Sequence, residues 1–292
     1  MVVFILVVIA YLAAPEDSEK VTQRLPQRPR TRRTVDADID RYFGDRDATE
    51  PALLHGGLTA WRLLCPSGDG RGEVLTALNA VWYAELGSGE TTDDIVLDRE
   101  QYILYVISGE GTIRAGGKEF PLVEGTGALA PPGVGFILEA DKNASLALYI
   151  MAENVPGGAK TAKGIVVKSD YDAPISSNVS RVGTEDALFS RQDGLVAVAV
   201  VDVVMHEPRA AIQPHVHPPE VEEIWAAVDD IVVQIGLRRR MLRPGSVYRA
   251  PSDGRTPHTN INPSTESKKT LWLMAYPEEE DGTRSASKLD TI

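Results

Sequence analysis

The chain has 292 residues, 43% of them hydrophobic and 25% charged, a composition ordinary for a globular protein of two domains or of one large β domain. Its formal net charge of -12 repels polyanions, so nucleic acid is not expected as a partner. The single cysteine, Cys65, excludes an internal disulfide and a cysteine-based metal cluster.

The chain begins with an almost wholly apolar run, residues 1–14. The run is short for a membrane span, and it has the length of a signal-peptide core, but no Lys or Arg precedes it and Pro15 follows it. Residues 1–14 can therefore be interpreted as a secretory signal or membrane anchor, or as a buried strand or an N-terminal extension. A cytoplasmic location is favoured. We expect residues 1–40 to comprise this segment and a polar, poorly ordered stretch.

Short apolar or alternating runs, separated by Gly, Pro and Asp, make up most of the remaining chain. This pattern is typical of β-strands in a sandwich or barrel. Residues 72–86 are ambiguous between a helix and a strand. The other clear runs lie at residues 102–109, 135–140, 144–152, 194–205 and 271–276. The sequence thus predicts an all-β protein.

An internal repeat relates residues 102–136 to residues 223–258. Each copy has an apolar strand, a tight turn and a second strand, and then a glycine followed six residues later by a proline, Gly125–Pro131 and Gly245–Pro251. The copies are about one domain length apart. We therefore predict two tandem β-barrel domains, residues 41–158 and 159–292, joined near residues 156–180.

The second copy carries a candidate metal site. His215 and His217 are two residues apart, and on a strand they would point to the same face. Glu223 or Glu222 could add a carboxylate and His258 a third imidazole, a ligand set suited to Fe, Mn, Ni, Cu or Zn. The alternative is a pair of surface histidines beside an acidic patch.

These residues carry a family resemblance. "HVHPPEVEEIW" resembles the first cupin motif, and "GSVYRAPSDGRTPHTNIN" resembles the second, with its landmarks at Gly245, Pro251, Gly254, His258 and Asn262. The resemblance covers residues 75–152 and 190–276, so the chain is similar to bicupins and two jelly-roll barrels are implied. Glu222 has the family's spacing from His217, whereas the strand register favours Glu223, so Glu222 stays the alternative.

The first copy has Tyr102 and Phe136 at two of the ligand positions, and we expect no metal there. In the second copy, Trp225, Gln234, Tyr248 and Arg249 are candidates to line a substrate pocket. No catalytic residue beyond the metal ligands can be assigned from the sequence.

The resemblance implies one divalent metal, with Fe, Mn or Ni favoured and Zn or Cu open. It implies an enzyme acting on a small molecule, and we favour a dioxygenase of a phenolic, enolic or keto substrate. An isomerase, epimerase, cyclase or decarboxylase is the alternative, as is a non-enzymatic binding protein, because cupins span all these classes. A homodimer is left open.

Overall fold

The computed structural model describes residues 39–172, 175–177, 182–184 and 187–276. The apolar run 1–14 and most of the polar stretch after it lie outside these residues, so their interpretation stays a prediction. Within the described ranges, no helix is long and apolar enough to cross a membrane.

The described residues form β-strands joined by turns and by short 3-10 helices at Ile39–Tyr42, Arg46–Ala48 and Arg191–Asp193. The strands of the first half are β1 (Phe43–Asp45), β2 (Ala52–Leu54), β3 (Leu58–Pro66), β4 (Glu73–Leu75), β5 (Leu78–Leu86), β6 (Glu100–Ala115), β7 (Lys118–Val123), β8 (Thr126–Ala130), β9 (Ile137–Ala140), β10 (Leu146–Asn154) and β11 (Val166–Ser169). Those of the second half are β12 (Ile175–Ser177), β13 (Val182–Thr184), β14 (Phe189–Ser190), β15 (Val200–His206), β16 (Glu222–Ala227), β17 (Ile231–Ile235), β18 (Arg238–Leu242), β19 (Ser246–Arg249), β20 (His258–Ile261) and β21 (Lys268–Ala275). The predicted all-β fold is confirmed.

Two regions differ in detail from the predicted strands. The ambiguous stretch 72–86 is two strands, β4 and β5, because the chain turns between them. The run 194–205 becomes a strand only from Val200. Gly194 ends a 3-10 helix in the left-handed region with φ 109°, and the backbone N–H groups of residues 196–198 donate to the Glu153 carboxylate instead of to a neighbouring strand.

Two large sheets repeat the same strand order. The first sheet runs β11-β8-β6-β10-β5-β3-β2, and the second runs β1-β19-β16-β21-β15-β13-β12. In the first sheet β7 and β9 pair with the far end of the long strand β6, whereas β18, β17 and β20 form a separate third sheet in the second half.

Each large sheet ends in a strand from the other side of the predicted domain boundary at residue 158. β1 pairs antiparallel with β19, and β11 pairs antiparallel with β8. The described residues belong to one compact unit. The exchange ties the halves together, and the division into domains at residue 158 stays a prediction.

Three apolar clusters fill the fold. One joins the two large sheets face to face, and it includes Tyr149 of β10 and Ile224 of β16. The second lies within the first half, and the third lies inside the second half, where Ile39 and Phe43 from the start of the described chain join it. The six residues of β16 are all buried, because one face of this strand packs against the first sheet and the other faces the interior of the second half. Residues of both faces are thus removed from water.

Two buried carboxylates clamp loops of the opposite half. Glu153, at the end of β10, accepts hydrogen bonds from the backbone N–H groups of Val196, Ala197 and Val198. Glu222, at the start of β16, accepts them from the N–H groups of residues 76–78. Each carboxylate thus holds a loop of the opposite half through several backbone hydrogen bonds, and Leu78 and Val198 are paired in this way in a buried setting.

Candidate metal centre

Three segments bring the candidate ligands together. Glu223 lies on β16, and His258 is the first residue of β20. His215 and His217 lie in the loop between β15 and β16 rather than on a regular strand. His215 makes an isolated backbone bridge to His258, with N···O distances of 3.2 and 3.0 Å, and this bridge fixes the loop against β20.

The four side chains converge on one point. Glu223 Oε2 lies 3.1 Å from His217 Nε2 and 2.6 Å from His258 Nε2, and Glu223 Oε1 lies 3.9 Å from His215 Nε2. One ligand atom from each residue lies within 4.8 Å of those of the other three. These side chains can therefore hold one metal ion.

The hydrogen-bond geometry supports a shared cation. His217 Nε2, His258 Nε2 and Glu223 Oε2 lie close together, yet none has a hydrogen-bond partner among the described residues. His215 Nδ1 donates to the carbonyl of Gln213 at 2.9 Å, which leaves the lone pair of Nε2 on the side of the cluster. Neutral imidazoles and a carboxylate aimed at one point fit a divalent transition metal.

Burial and the facing side chains together set the charge states of the site. Burial alone would raise the pKa of Glu223, but the facing imidazoles outweigh it and hold that pKa well below 4.5. Burial lowers the pKa of His258 below 6.5. The site thus favours a carboxylate and a neutral His258, the protonation states that bind metals.

The site has one accessible edge. The side chains of His217, Glu223 and His258 are 3%, 2% and 1% exposed, whereas that of His215 is 30% exposed. A small molecule would therefore reach the cluster past His215.

Glu222, the alternative carboxylate, faces away from the histidines. Its Oε2 accepts a hydrogen bond from the Thr76 hydroxyl at 2.8 Å and forms an ion pair with Arg249 Nε at 3.3 Å. It lies between the two large sheets, where it has partners of its own. The structure brings Glu223 to the cluster and does not bring Glu222 there.

Of the four candidates for lining a substrate pocket, two lie inside the second half and two are held elsewhere by other partners. Trp225 and Tyr248 belong to the apolar cluster inside the second half. Gln234 accepts from Arg239 Nε at 2.8 Å and donates to the Gly236 carbonyl, on the hairpin of β17 and β18. Arg249 pairs with Glu222, so neither Gln234 nor Arg249 is brought to the histidines.

Two residues of the site were not singled out in the sequence. Trp272 Nε1 donates to Glu223 Oε1 at 2.7 Å, and Asn260 accepts from the Tyr248 hydroxyl at 2.9 Å. Alternation along β20 from His258 would have placed Asn260 on the same face. Nothing in the sequence indicates that β21 lies beside β16, so no sequence pattern could have predicted that Trp272 contacts Glu223.

In the first half, Tyr102 and Phe136 are buried in the apolar cluster of that half. The Tyr102 hydroxyl lies 3.1 Å from His55 Nε2, and burial is the main cause that raises its pKa to about 12. Tyr102 is therefore a neutral phenol there.

The fold is similar to that of several solved structures. AerE from Microcystis aeruginosa is 14% identical, with a TM-score of 0.59 over 81% of this chain and 100% of that one. A variant of the oxalate decarboxylase OxdC from Bacillus subtilis is 14% identical, with a TM-score of 0.61 over 84% of this chain and 80% of that one. Vicilin from Corylus avellana is also 14% identical, with a TM-score of 0.59 over 80% of this chain and 85% of that one.

No protein-family model and no curated protein sequence matches this chain. The similar structures are cupin-fold proteins, so the likeness shows a cupin fold here. Their low identity restricts that conclusion to the fold, because one fold hosts many activities.

Proposed function

We propose that the protein is a metal-dependent cupin enzyme that acts on a small, oxygen-bearing organic molecule. The observation that carries this proposal is the convergence of three imidazoles and one carboxylate, with ligand atoms within 4.8 Å of one another. Four protein ligands leave positions open for a substrate, as in catalytic rather than closed structural sites.

The ligand set favours a transition metal. Imidazole nitrogen suits Fe, Mn, Ni, Cu and Zn, whereas Ca²⁺ and Mg²⁺ prefer oxygen ligands. We propose Fe(II), Mn(II) or Ni(II). When bound, the metal would supply a Lewis acid that holds a substrate oxygen and lowers the pKa of the attached proton.

The protein's own residues have separate tasks in this proposal. His215, His217, His258 and Glu223 hold the ion. Trp272 donates to Glu223 Oε1 and so orients Oε2 toward the histidines. One carboxylate only partly neutralises a divalent ion, so the loaded site keeps a net positive charge that favours an anionic or enolisable substrate.

Oxygenation of a phenolic, enolic or keto substrate is the reaction we propose. Partial exposure of His215 gives substrate and dioxygen a route, and burial of the other three ligands keeps water from the rest of the site. The second candidate is a non-redox reaction, such as isomerisation or decarboxylation, since one of the similar structures is an oxalate decarboxylase.

Metal analysis of the purified full chain tests the proposal. We expect about one transition-metal ion per chain, and we expect His215→Ala and His258→Ala to lose it. His55→Asn is the matched control, because His55 lies outside the cluster at φ 50°, where Asn is also tolerated. Stoichiometric metal in both alanine variants would refute the site.

Oxygen uptake separates the two reactions. The metal-loaded protein would be incubated with phenolic, enolic and keto compounds in air and under strict anaerobiosis. Turnover only in air supports the oxygenase, and equal turnover in both supports the non-redox enzyme. Metal binding without turnover in either condition would indicate a binding protein.

A further inference from the structure

A second layer of polar side chains lies next to the metal ligands. Trp225 follows Glu223 by two residues on β16, and Asn260 follows His258 by two residues on β20. Side chains two residues apart on a strand share a face, so both lie on the face that carries the ligands. Tyr248 links them, because it is the cross-strand partner of Trp225 and its hydroxyl donates to Asn260 Oδ1 at 2.9 Å.

Two donors of this layer are buried without acceptors. Trp225 Nε1 and Asn260 Nδ2 have no hydrogen-bond partner among the described residues, and each residue is 1% exposed. The bond from Tyr248 occupies the amide oxygen of Asn260, so the amide presents its N–H₂ group to the interior. Buried donors are almost always paired in folded proteins, so two unpaired donors beside a candidate metal site call for an acceptor.

We infer that Trp225 and Asn260 form a donor pair that binds an anionic oxygen of the ligand held at the metal. This inference rests on the proposed function and deepens it. Trp225 and Asn260 each offer an N–H donor that requires an acceptor, and the net positive charge of the loaded metal site requires a negatively charged partner. A carboxylate oxygen satisfies both requirements, and hydrogen bonds to charged acceptors are stronger than those to neutral ones.

The ligand must be small. Trp225, Tyr248 and Trp272 are 1%, 0% and 6% exposed, so this layer lies among buried aromatic side chains with little access for a bulky molecule. The metal-binding side chains and the two donors are two residues apart along β16 and β20, a rise of about 6.6 Å. A 2-oxo acid or a similar carboxylate of a few heavy atoms suits that spacing, with its keto group toward the metal and a carboxylate oxygen toward the donors.

Calorimetric titration of the Mn(II)-loaded full chain tests the inference, with pyruvate as the probe and pyruvamide as its uncharged analogue. Trp225→Phe removes one donor and keeps the ring. Asn260→Asp keeps the size and the acceptor for Tyr248 but loses the N–H₂ group. We expect each variant to weaken pyruvate binding by about tenfold or more, with Mn(II) affinity changed by less than about threefold.

Trp61→Phe is the control, because Trp61 packs against Tyr83 in the first half, and its affinities should match the parent's. Thermal unfolding of each variant without pyruvate would show that the fold is kept. Three outcomes would overturn the inference and leave only an ordered water at the donors. Pyruvate would fail to bind, would bind both variants as tightly as the parent, or would bind no better than pyruvamide.

The two proposals fail in different ways. A parent protein that takes up no metal would refute the proposed function. The role of the donor pair is then tested by titrating the metal-free protein with pyruvate. If Trp225 and Asn260 bind the carboxylate, both variants must weaken that binding.

Discussion

Glu222 and Glu223 are consecutive residues of β16, and their carboxylates serve opposite sides of the strand. Glu223 Oε2 lies 2.6 Å from His258 Nε2 inside the second half. Glu222 Oε2 lies 3.3 Å from Arg249 Nε, and the two oxygens of this carboxylate accept hydrogen bonds from the backbone N–H groups of residues 76–78 in the first half. The carboxylate proposed to bind metal is therefore next in sequence to one that joins the two halves.

Exchanging these two carboxylates for amides should have separable effects. Glu222→Gln weakens the clamp and leaves the buried Arg249 without its charged partner, so we expect the free energy of unfolding to fall by about 3 kcal/mol with metal still bound. Glu223→Gln should reduce metal binding more than stability. Chemical denaturation and metal analysis of both variants check this, and the opposite assignment of effects would contradict it.

Trp272 should tune the metal affinity without being a ligand. Trp272→Phe removes the N–H that donates to Glu223 Oε1 at 2.7 Å and keeps most of the ring volume. Loss of a hydrogen bond to a metal ligand typically lowers affinity by about 10- to 100-fold. Competition with a chelator measures the change, and Trp82→Phe in the first half is the control. An unchanged affinity would show that Glu223 does not need this contact.

Metal binding should stabilise the fold. A ligand at about 100 times its Kd adds roughly 2.7 kcal/mol to the free energy of unfolding when it binds only the folded state. We therefore expect Mn(II) to raise the Tm of the parent chain, and we expect this rise to vanish in His258→Ala. A similar rise in that variant would place the bound metal elsewhere.

The ion pair between the partly buried Lys269 and the buried Asp170 should show a defined pH dependence. Lys269 Nζ of β21 lies 3.1 Å from Asp170 Oδ2, and Asp170 also accepts from the Tyr105 hydroxyl at 2.9 Å. Burial opposes the charge of Lys269, but Asp170 outweighs it, so the pKa of Lys269 is raised above 10.5. The stability from this pair is therefore fully present below pH 10.5 and is lost as the pH rises through the raised pKa.

Lys269→Met tests this pair. It should cost about 3 kcal/mol at neutral pH, because Asp170 is left buried and charged. The difference from the parent should narrow only above pH 10.5. Lys268→Met is the control, since Lys268 pairs with the largely exposed Glu266 at 3.6 Å and should cost less than about 1 kcal/mol. A difference that narrows toward neutral pH would contradict the assignment.

The local pattern predicted much of the fold. The alternating and apolar runs marked the strands, because side-chain period and turn residues are local properties. The start of β15 was misplaced, because the 3-10 helix before it and the contacts of Glu153 with residues 196–198 depend on the other half of the chain. The exchange of β1 and β11 likewise depends on contacts distant in sequence.

The sequence by itself determined the residue types and spacings of the candidate site: two close histidines, two adjacent glutamates and a distant third histidine. Only the tertiary structure decided that Glu223 faces those histidines. Both faces of β16 are buried, so hydrophobicity along the strand does not distinguish the interior from the contact between the sheets. The roles of Trp272 and Asn260 were decided in the same way, because they depend on which strands become neighbours when the sheets assemble.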